Sequence, residues 1–338
     1  MSNRNFFSYA GLRDRGIWRI FMLLIFTLLA VGGIILSLTK GALAISLQDI
    51  VSAIISDQSG ANRQVIWNIR LPRTLVGALV GINLALAGAI LQGVMKNPLA
   101  DPHIIGISSG AGLAGVTILI LFPHQEYLVT PIAFVGAMAA AIFIYILAWK
   151  GGIRPVRIIL AGVAVSAFLN SGISALMVFY SDRVHGALMW MVGGLSARSW
   201  PHIDIILPYT IVGGILALLG ARRLNILNLG DDIARGLGLN VEVSRIALTA
   251  VAALLAASAV SVVGLLGFVG LIVPHAARLL VGSDYRYLLP ASAILGVAVV
   301  TLSDTLARVA FSPLEIPVGI IMAFVGAPFF LYLLRRDA

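Results

Sequence analysis

The 338-residue chain contains no cysteine, which excludes disulfides, thiolate metal sites and a cysteine nucleophile. Charge is scarce as well: 11% of residues are Asp, Glu, Lys or Arg, against about 25% in a soluble domain. Such a chain lacks the polar surface to face water on every side. Lysine occurs only as Lys40, Lys96 and Lys150, followed by Gly41, Asn97 and Gly151. None stands in the Gly-Lys-Ser/Thr run that cradles phosphates, so the chain cannot hydrolyse ATP by that route. The five histidines, at 103, 124, 185, 202 and 275, include no pair at metal-ligand spacing on one helix. No metal site and no catalytic residue is therefore expected. His103 and His275 each follow a proline near an expected helix start, where capping or packing accounts for them.

What remains is apolar: 60% of residues are hydrophobic. A bilayer core of about 30 Å needs about 20 apolar residues per helix. Stretches of that kind lie near 18–39, 74–95, 103–122, 130–149, 156–180, 203–220, 245–263, 267–282, 288–309 and 316–334. The expectation is an all-α integral membrane protein: one domain over residues 1–338, with about ten transmembrane helices in a compact bundle between 18 and 336. The first stretch is long enough to span and no Ala-x-Ala-like site follows it, so it is read as a helix and not a signal peptide. The apolar run from Ile246 to Gly282 is about twice the length one span needs. It must break, and Gly264, Gly267 and Gly270 mark the expected turn. Residues 185–196 are apolar but too short to cross, which predicts a re-entrant or interfacial helix.

A net charge of +9 invites a nucleic-acid reading. The basic residues are scattered among apolar spans, however, so no nucleic-acid partner is expected and the surroundings are membrane lipid. With ten spans and the N-terminus inside, all but Lys40, Arg63, Arg70, Arg73, Arg183, Arg198 and Arg308 of the 23 basic residues fall on cytoplasmic segments. That bias places both termini in the cytoplasm. Spans two to five and seven to ten then run in opposite senses, the topology of an inverted repeat. Gly77-x-x-x-Gly81 and Gly106-x-x-x-Gly110, with Gly112 and Gly115, allow close helix packing. Asp304 is the one carboxylate well inside a span. One turn from Arg308, it either pairs with that arginine or relays protons in a transporter working alone.

Several stretches carry more. Arg70-Leu71-Pro72-Arg73 opens the second span, and Asn97-Pro98-Leu99-Ala100-Asp101-Pro102 closes it ahead of Gly106-Ile107-Ser108-Ser109-Gly110-Ala111-Gly112. A loop reads Leu229-Gly230-Asp231-Asp232-Ile233-Ala234-Arg235-Gly236-Leu237-Gly238-Leu239. Gly267 to Leu279, Asp304 to Arg308, Glu315-Ile316-Pro317-Val318-Gly319 and Gly326-Ala327-Pro328 follow in order. Within the loop, Asp231 and Asp232 would offset the positive end of a short helix, and Gly236 or Gly238 would end it in a left-handed cap. Pro98 would stop its helix.

Taken together, these motifs resemble the permease family of ABC importers for ferric siderophores, haem and cobalamin. The resemblance implies ten helices in the bacterial cytoplasmic membrane and a dimer, with a second copy or a sister permease. It implies two cytoplasmic ATPase subunits, which use ATP where this chain binds no cofactor covalently, and an extracytoplasmic solute-binding protein. Ferric siderophore is the expected solute, with cobalamin or haem as alternatives. Residues 222–244 become a cytoplasmic coupling loop, with Leu229, Gly230, Asp231, Asp232, Ala234, Arg235, Gly236, Leu237 and Gly238 meeting the ATPase. Asn97, Pro98 and Leu99 match the family's cytoplasmic gate, where Leu99 would plug the path. Arg70, Arg73 and Arg308 match the positions that receive acidic side chains of the binding protein, although snorkelling to headgroups would also place them there. Trp190, Gly193, Gly194 and Trp200 fit the family pattern, and Arg198 departs from it.

Overall fold

The computed structural model describes residues 16–41, 45–55, 60–102, 106–149 and 155–337. His103, Lys150 and Arg154, and the N-terminal Arg4, Arg13 and Arg15, lie outside them. In a bilayer every backbone polar group must be satisfied within the segment, which drives apolar stretches to helix. All regular elements among the described residues are helical. In chain order they are α1 (Gly16–Thr39), α2 (Leu47–Ile55), α3 (Ala61–Val65), α4 (Leu71–Met95), α5 (Ile107–Leu121), α6 (Val129–Ala148), α7 (Pro155–Phe179), α8 (Val184–Val192), α9 (Trp200–Asn228), α10 (Asp231–Gly236), α11 (Val241–Val263), α12 (Val269–Val281), α13 (Tyr285–Val309) and α14 (Val318–Asp337). Each expected span coincides with a helix. Among the described residues seven helices are long and apolar enough to cross a membrane, while Ile107–Leu121, Val269–Val281 and Val318–Leu331 are shorter.

The bundle is built around α4. Its apolar window is 78% buried, against 28% for α1 and 22% for α7, and it packs on α9, α11, α12 and α13. Apolar burial does little to hold helices together in lipid, so close backbone approach has to do it. A Cβ on Gly81 would run into the backbone of Gly296 on α13, and one on Gly88 into that of Gly270 on α12. Gly115 on α5 lies under the ring of Trp190 from α8. The small residues of these helices are therefore contact points.

Local chemistry shapes both ends of α4. Pro72 cannot donate to the carbonyl four residues back, and its ring crowds that group. The chain takes up the mismatch with a π turn over Ile66–Arg70, closed by Leu71 N–H to Ile66 O. The C-terminal end stops at Met95, before Pro98, because Lys96 is left-handed (φ 50°). Lys96 N–H donates to Gly93 O and Asn97 N–H to Gln92 O, the paired bonds that close a helix in this way.

The long run from Ile246 breaks at Gly264 (φ 82°), and α12 restarts after Phe268 (φ 67°). Gly264 thus turns the chain as expected. Gly270 does not: it sits in the first turn of α12, against α4. Pro274 and His275 are interior to α12 and not at its start, and the His275 ring meets Phe329 edge-on at 6.0 Å. Residues 184–192 form the short helix α8, ended by Gly193 (φ 82°). Helix α2 has no counterpart in the expected spans.

Candidate functional site

Two ion clusters sit at the two ends of α4. At the N-terminal end, labelled outer for the side the charge bias expects, Arg73 makes a fork with Asp304 of α13: Nε donates to Oδ2 at 3.0 Å and Nη2 to Oδ1 at 2.9 Å. Its Nη1 donates to Glu315 Oε2 at 2.8 Å. Arg308 Nε lies 3.1 Å from Asp304 Oδ2, so one carboxylate is held between two guanidinia. Asp304 and Arg308 are paired as their one-turn spacing suggests, with Arg73 added from another helix. The side chains of Asp304, Arg308 and Arg73 are 2%, 4% and 9% exposed, whereas Glu315 is 42% exposed.

The remaining donors of the cluster finish α1. Arg70 Nη1 donates to Leu38 O at 2.7 Å and to Thr39 O at 3.0 Å. Arg308 Nη2 donates to Ser37 O at 3.0 Å, and Nη1 to Lys40 O at 3.1 Å. The last carbonyls of a helix lack partners within it and carry partial negative charge, which suits cations. Gly41 lets the two guanidinia close in, since a Cβ there would lie 3.1 Å from Arg70 Nη2 and 3.5 Å from Arg308 Nη1. The structure thus brings Arg70, Arg73 and Arg308 together as the motif reading expects, but points them inward. Glu315 stands in a quoted motif but was given no role there, and Ser37 was not singled out. Their partners lie on distant stretches of the chain, where spacing gives no signal.

At the C-terminal end, labelled inner on the same expectation, Lys96 Nζ donates to Asp231 Oδ1 at 2.7 Å, and Arg245 Nη2 of α11 donates to the same oxygen at 2.8 Å. Burial alone would raise the Asp231 carboxyl; the Lys96 hydrogen bond and the Arg245 and Lys96 charges outweigh it and hold its pKa below the ordinary value. Just beyond Lys96, Asn97 Oδ1 accepts Leu99 N–H at 2.9 Å and Asn97 O accepts Ala100 N–H at 3.1 Å. Residues 96–100 are thereby closed into one tight turn. Pro98 is exposed, and Asn97 and Leu99 are half-buried.

The neighbouring loop forms the short helix α10. Asp231 and Asp232 open it, Asp232 facing Arg235 at 3.5 Å. Leu239 N–H to Ala234 O and Gly238 N–H to Arg235 O close it, with Gly238 left-handed (φ 81°); Gly236, the other candidate, is helical. Gly230 (φ 112°) leads in. Ala234 is fully buried, while Leu229, Ile233 and Leu237 are each more than half exposed. Ile233 lies on α10, Leu229 precedes the Gly230 turn and Leu237 follows the helix, so apolar side chains are exposed before, on and after this knob. Of residues 222–244, those up to 228 still belong to α9 and those from 241 to α11.

Arg198 lies over the first turn of α9, Nη1 3.2 Å from His202 Nε2, and burial lowers its pKa to about 10. Among the described residues no three His, Asp or Glu gather as metal ligands.

A helical bundle wound on one buried, glycine-lined helix, with seven helices among the described residues long and apolar enough to cross a membrane, defines a class: a multi-pass membrane protein. Comparison with known proteins narrows it. The model of the FecCD transport family matches residues 26–336, and the chain belongs to this family, as a permease subunit of an ABC importer whose ATPase is a separate chain. It is 38% identical over 328 residues to the Fe(3+)-citrate import system permease protein YfmD of Bacillus subtilis, covering 97% of this chain and 98% of that one. It is 45% identical over 272 residues to the cobalamin import system permease protein BtuC of Halobacterium salinarum, 80% of this chain and 73% of that one. A solved structure of a metal-chelate type ABC transporter in an inward-facing conformation superposes with a TM-score of 0.83 at 29% identity, over 93% of this chain and 98% of that one.

Proposed function

We propose that this permease passes ferric chelates, ferric siderophores foremost, from a solute-binding protein outside into the cytoplasm. Cobalamin or haem is the alternative within the family, since relatives are named for Fe(3+)-citrate, iron(3+)-hydroxamate, cobalamin and hemin. On this reading ten helices cross the membrane, three of them short, with both termini in the cytoplasm. Two permeases, identical or sisters, pair with two ATPase subunits.

The observation that carries the reading is the α10 knob. A six-residue helix closed at its C-terminal end by the Gly238 turn, with Ala234 buried and Leu229, Ile233 and Leu237 exposed around it, is suited to seat in a groove of a partner. The ATPase subunits supply that groove. Asn97, Pro98 and Leu99 close the path at the inner end of α4. At the outer end Arg73 is the docking centre for an acidic side chain of the binding protein. The incoming carboxylate displaces Glu315, the exposed member of the cluster, while Arg70 and Arg308 stay on α1 and supply background positive charge.

The test is uptake of labelled ferric citrate, a ferric hydroxamate, haem and cobalamin in a strain lacking this chain. Loss of one ferric-chelate activity, restored by the intact chain and not by Ile233→Asp, supports the reading. Loss of cobalamin or haem uptake alone moves the substrate to that alternative. Uptake that persists without ATP but collapses with the proton gradient overturns the mechanism.

A further inference from the structure

The knob and the gate turn are physically joined, and the join is a single carboxylate oxygen. Asp231, the first residue of α10, accepts Lys96 from the end of α4 and Arg245 from α11 on the same Oδ1. We propose that the Lys96–Asp231–Arg245 bridge is the transmission between the partner-facing knob and the Asn97–Pro98–Leu99 turn, with Lys96 and Asp231 as positioning residues of the transport cycle. The inference rests on the coupling role proposed above for α10.

Three features make the bridge a transmission and not merely a staple. First, the knob has a glycine hinge on either side: Gly230 and Gly238 flank it at positive φ, and a Cβ on either would meet nothing within 4 Å. Second, the receiving end is stiff. Lys96 is a non-glycine residue in the left-handed region, closed onto Gly93, and the next residue clasps Leu99 N–H through its side chain. A pull on Lys96 therefore moves residues 96–99 as a unit. Third, the bridge can open and reform. The Lys96 and Asp231 side chains are 33% and 32% exposed, so water can replace either partner at modest cost, whereas Arg245 is 6% exposed and stays with α11 as the fixed anchor. Asp231 moving with α10 would exchange or stretch its bond to Lys96 while Arg245 guides it back.

The absence of cysteine provides a substrate-independent readout. Leu99→Cys gives the permease a single thiol in the gate turn, whose reaction with a membrane-impermeant maleimide is measured in the full complex with ATPase subunits and binding protein. The expected result is that nucleotide changes the labelling rate about fivefold or more, the low end of a coupling between two sites. Lys96→Met should reduce that change to less than about twofold while the ATPase subunits stay assembled, and Lys96→Arg should preserve it. A nucleotide-driven change that persists undiminished in Lys96→Met overturns the transmission while leaving the docking role of α10 standing. If Ile233→Asp leaves ATPase assembly intact, or if nucleotide has no effect with Lys96 in place, the coupling role fails and the transmission with it. Should Lys96→Met not assemble, the same labelling in Asp231→Asn decides, with a retained nucleotide response overturning the proposal.

Discussion

The two ends of α4 carry charge in opposite ways. At the N-terminal, outer end Asp304 is 2% exposed, takes guanidinium donors on both oxygens and ties α13 to α4, while the neighbouring Arg70 and Arg308 finish α1. At the C-terminal, inner end Asp231 is about a third exposed and shares one oxygen between two cations. A buried pair costs several kcal/mol to break, because one partner is left charged and dry; a half-exposed pair contributes about 1 kcal/mol or less. The outer cluster therefore fixes the bundle, and the inner one is free to change with the transport cycle.

Breaking the outer cluster should have the largest effect. Asp304→Ala leaves Arg73 and Arg308 facing each other with Glu315 as their remaining counter-charge, and should cost about 3–5 kcal/mol, seen as a large drop in thermal stability in detergent. Gly88→Ala, which drives a methyl into the backbone of Gly270, should cost about 1–3 kcal/mol in the same assay. Asp231→Asn should lower stability by about 1 kcal/mol or less yet sharply reduce uptake, the dissociation that separates a moving contact from a structural one. Glu315→Gln should leave stability nearly unchanged and strengthen binding-protein affinity, measured on the reconstituted permease, because it removes the group that competes for Arg73; an unchanged affinity would take Arg73 out of docking.

The smallest effect is on pH dependence. The folded Asp231 pKa is depressed, so its stabilising contribution is present above the ordinary carboxylate value and is lost as pH falls through the depressed one. Stability attributable to the inner bridge should be flat from about pH 5 to 8 and decline below about pH 4, a decline absent in Asp231→Asn.

The contrast also explains what could be read before the structure. Ten apolar runs were legible because each needs only length and composition, and the α10 knob was legible because its caps and acidic start are local in sequence. The direction in which Arg70 and Arg73 point was not. Their partners, Leu38, Asp304 and Glu315, lie 32, 231 and 242 residues away. Phe268 at φ 67° and Lys96 at φ 50° were missed for a different reason: left-handed turns are looked for at glycine, and tertiary packing placed other residues there. Helix α2 escaped because nine residues are too few for a span and it lies between two longer runs. Gly270 was assigned to the turn by its neighbours Gly264 and Gly267, while its contact with Gly88 depends on a helix far back in the chain.

On the proposed function, the exposed Leu229, Ile233 and Leu237 at α10 are where an ATPase drives this permease. Co-purification of the ATPase subunit with the intact chain and with Ile233→Asp, on matched amounts of folded permease, tests it most directly. The substitution is expected to strip the ATPase from the complex and abolish chelate uptake while the bundle melts unchanged. A full complement of ATPase on the Ile233→Asp chain, with uptake intact, would contradict it.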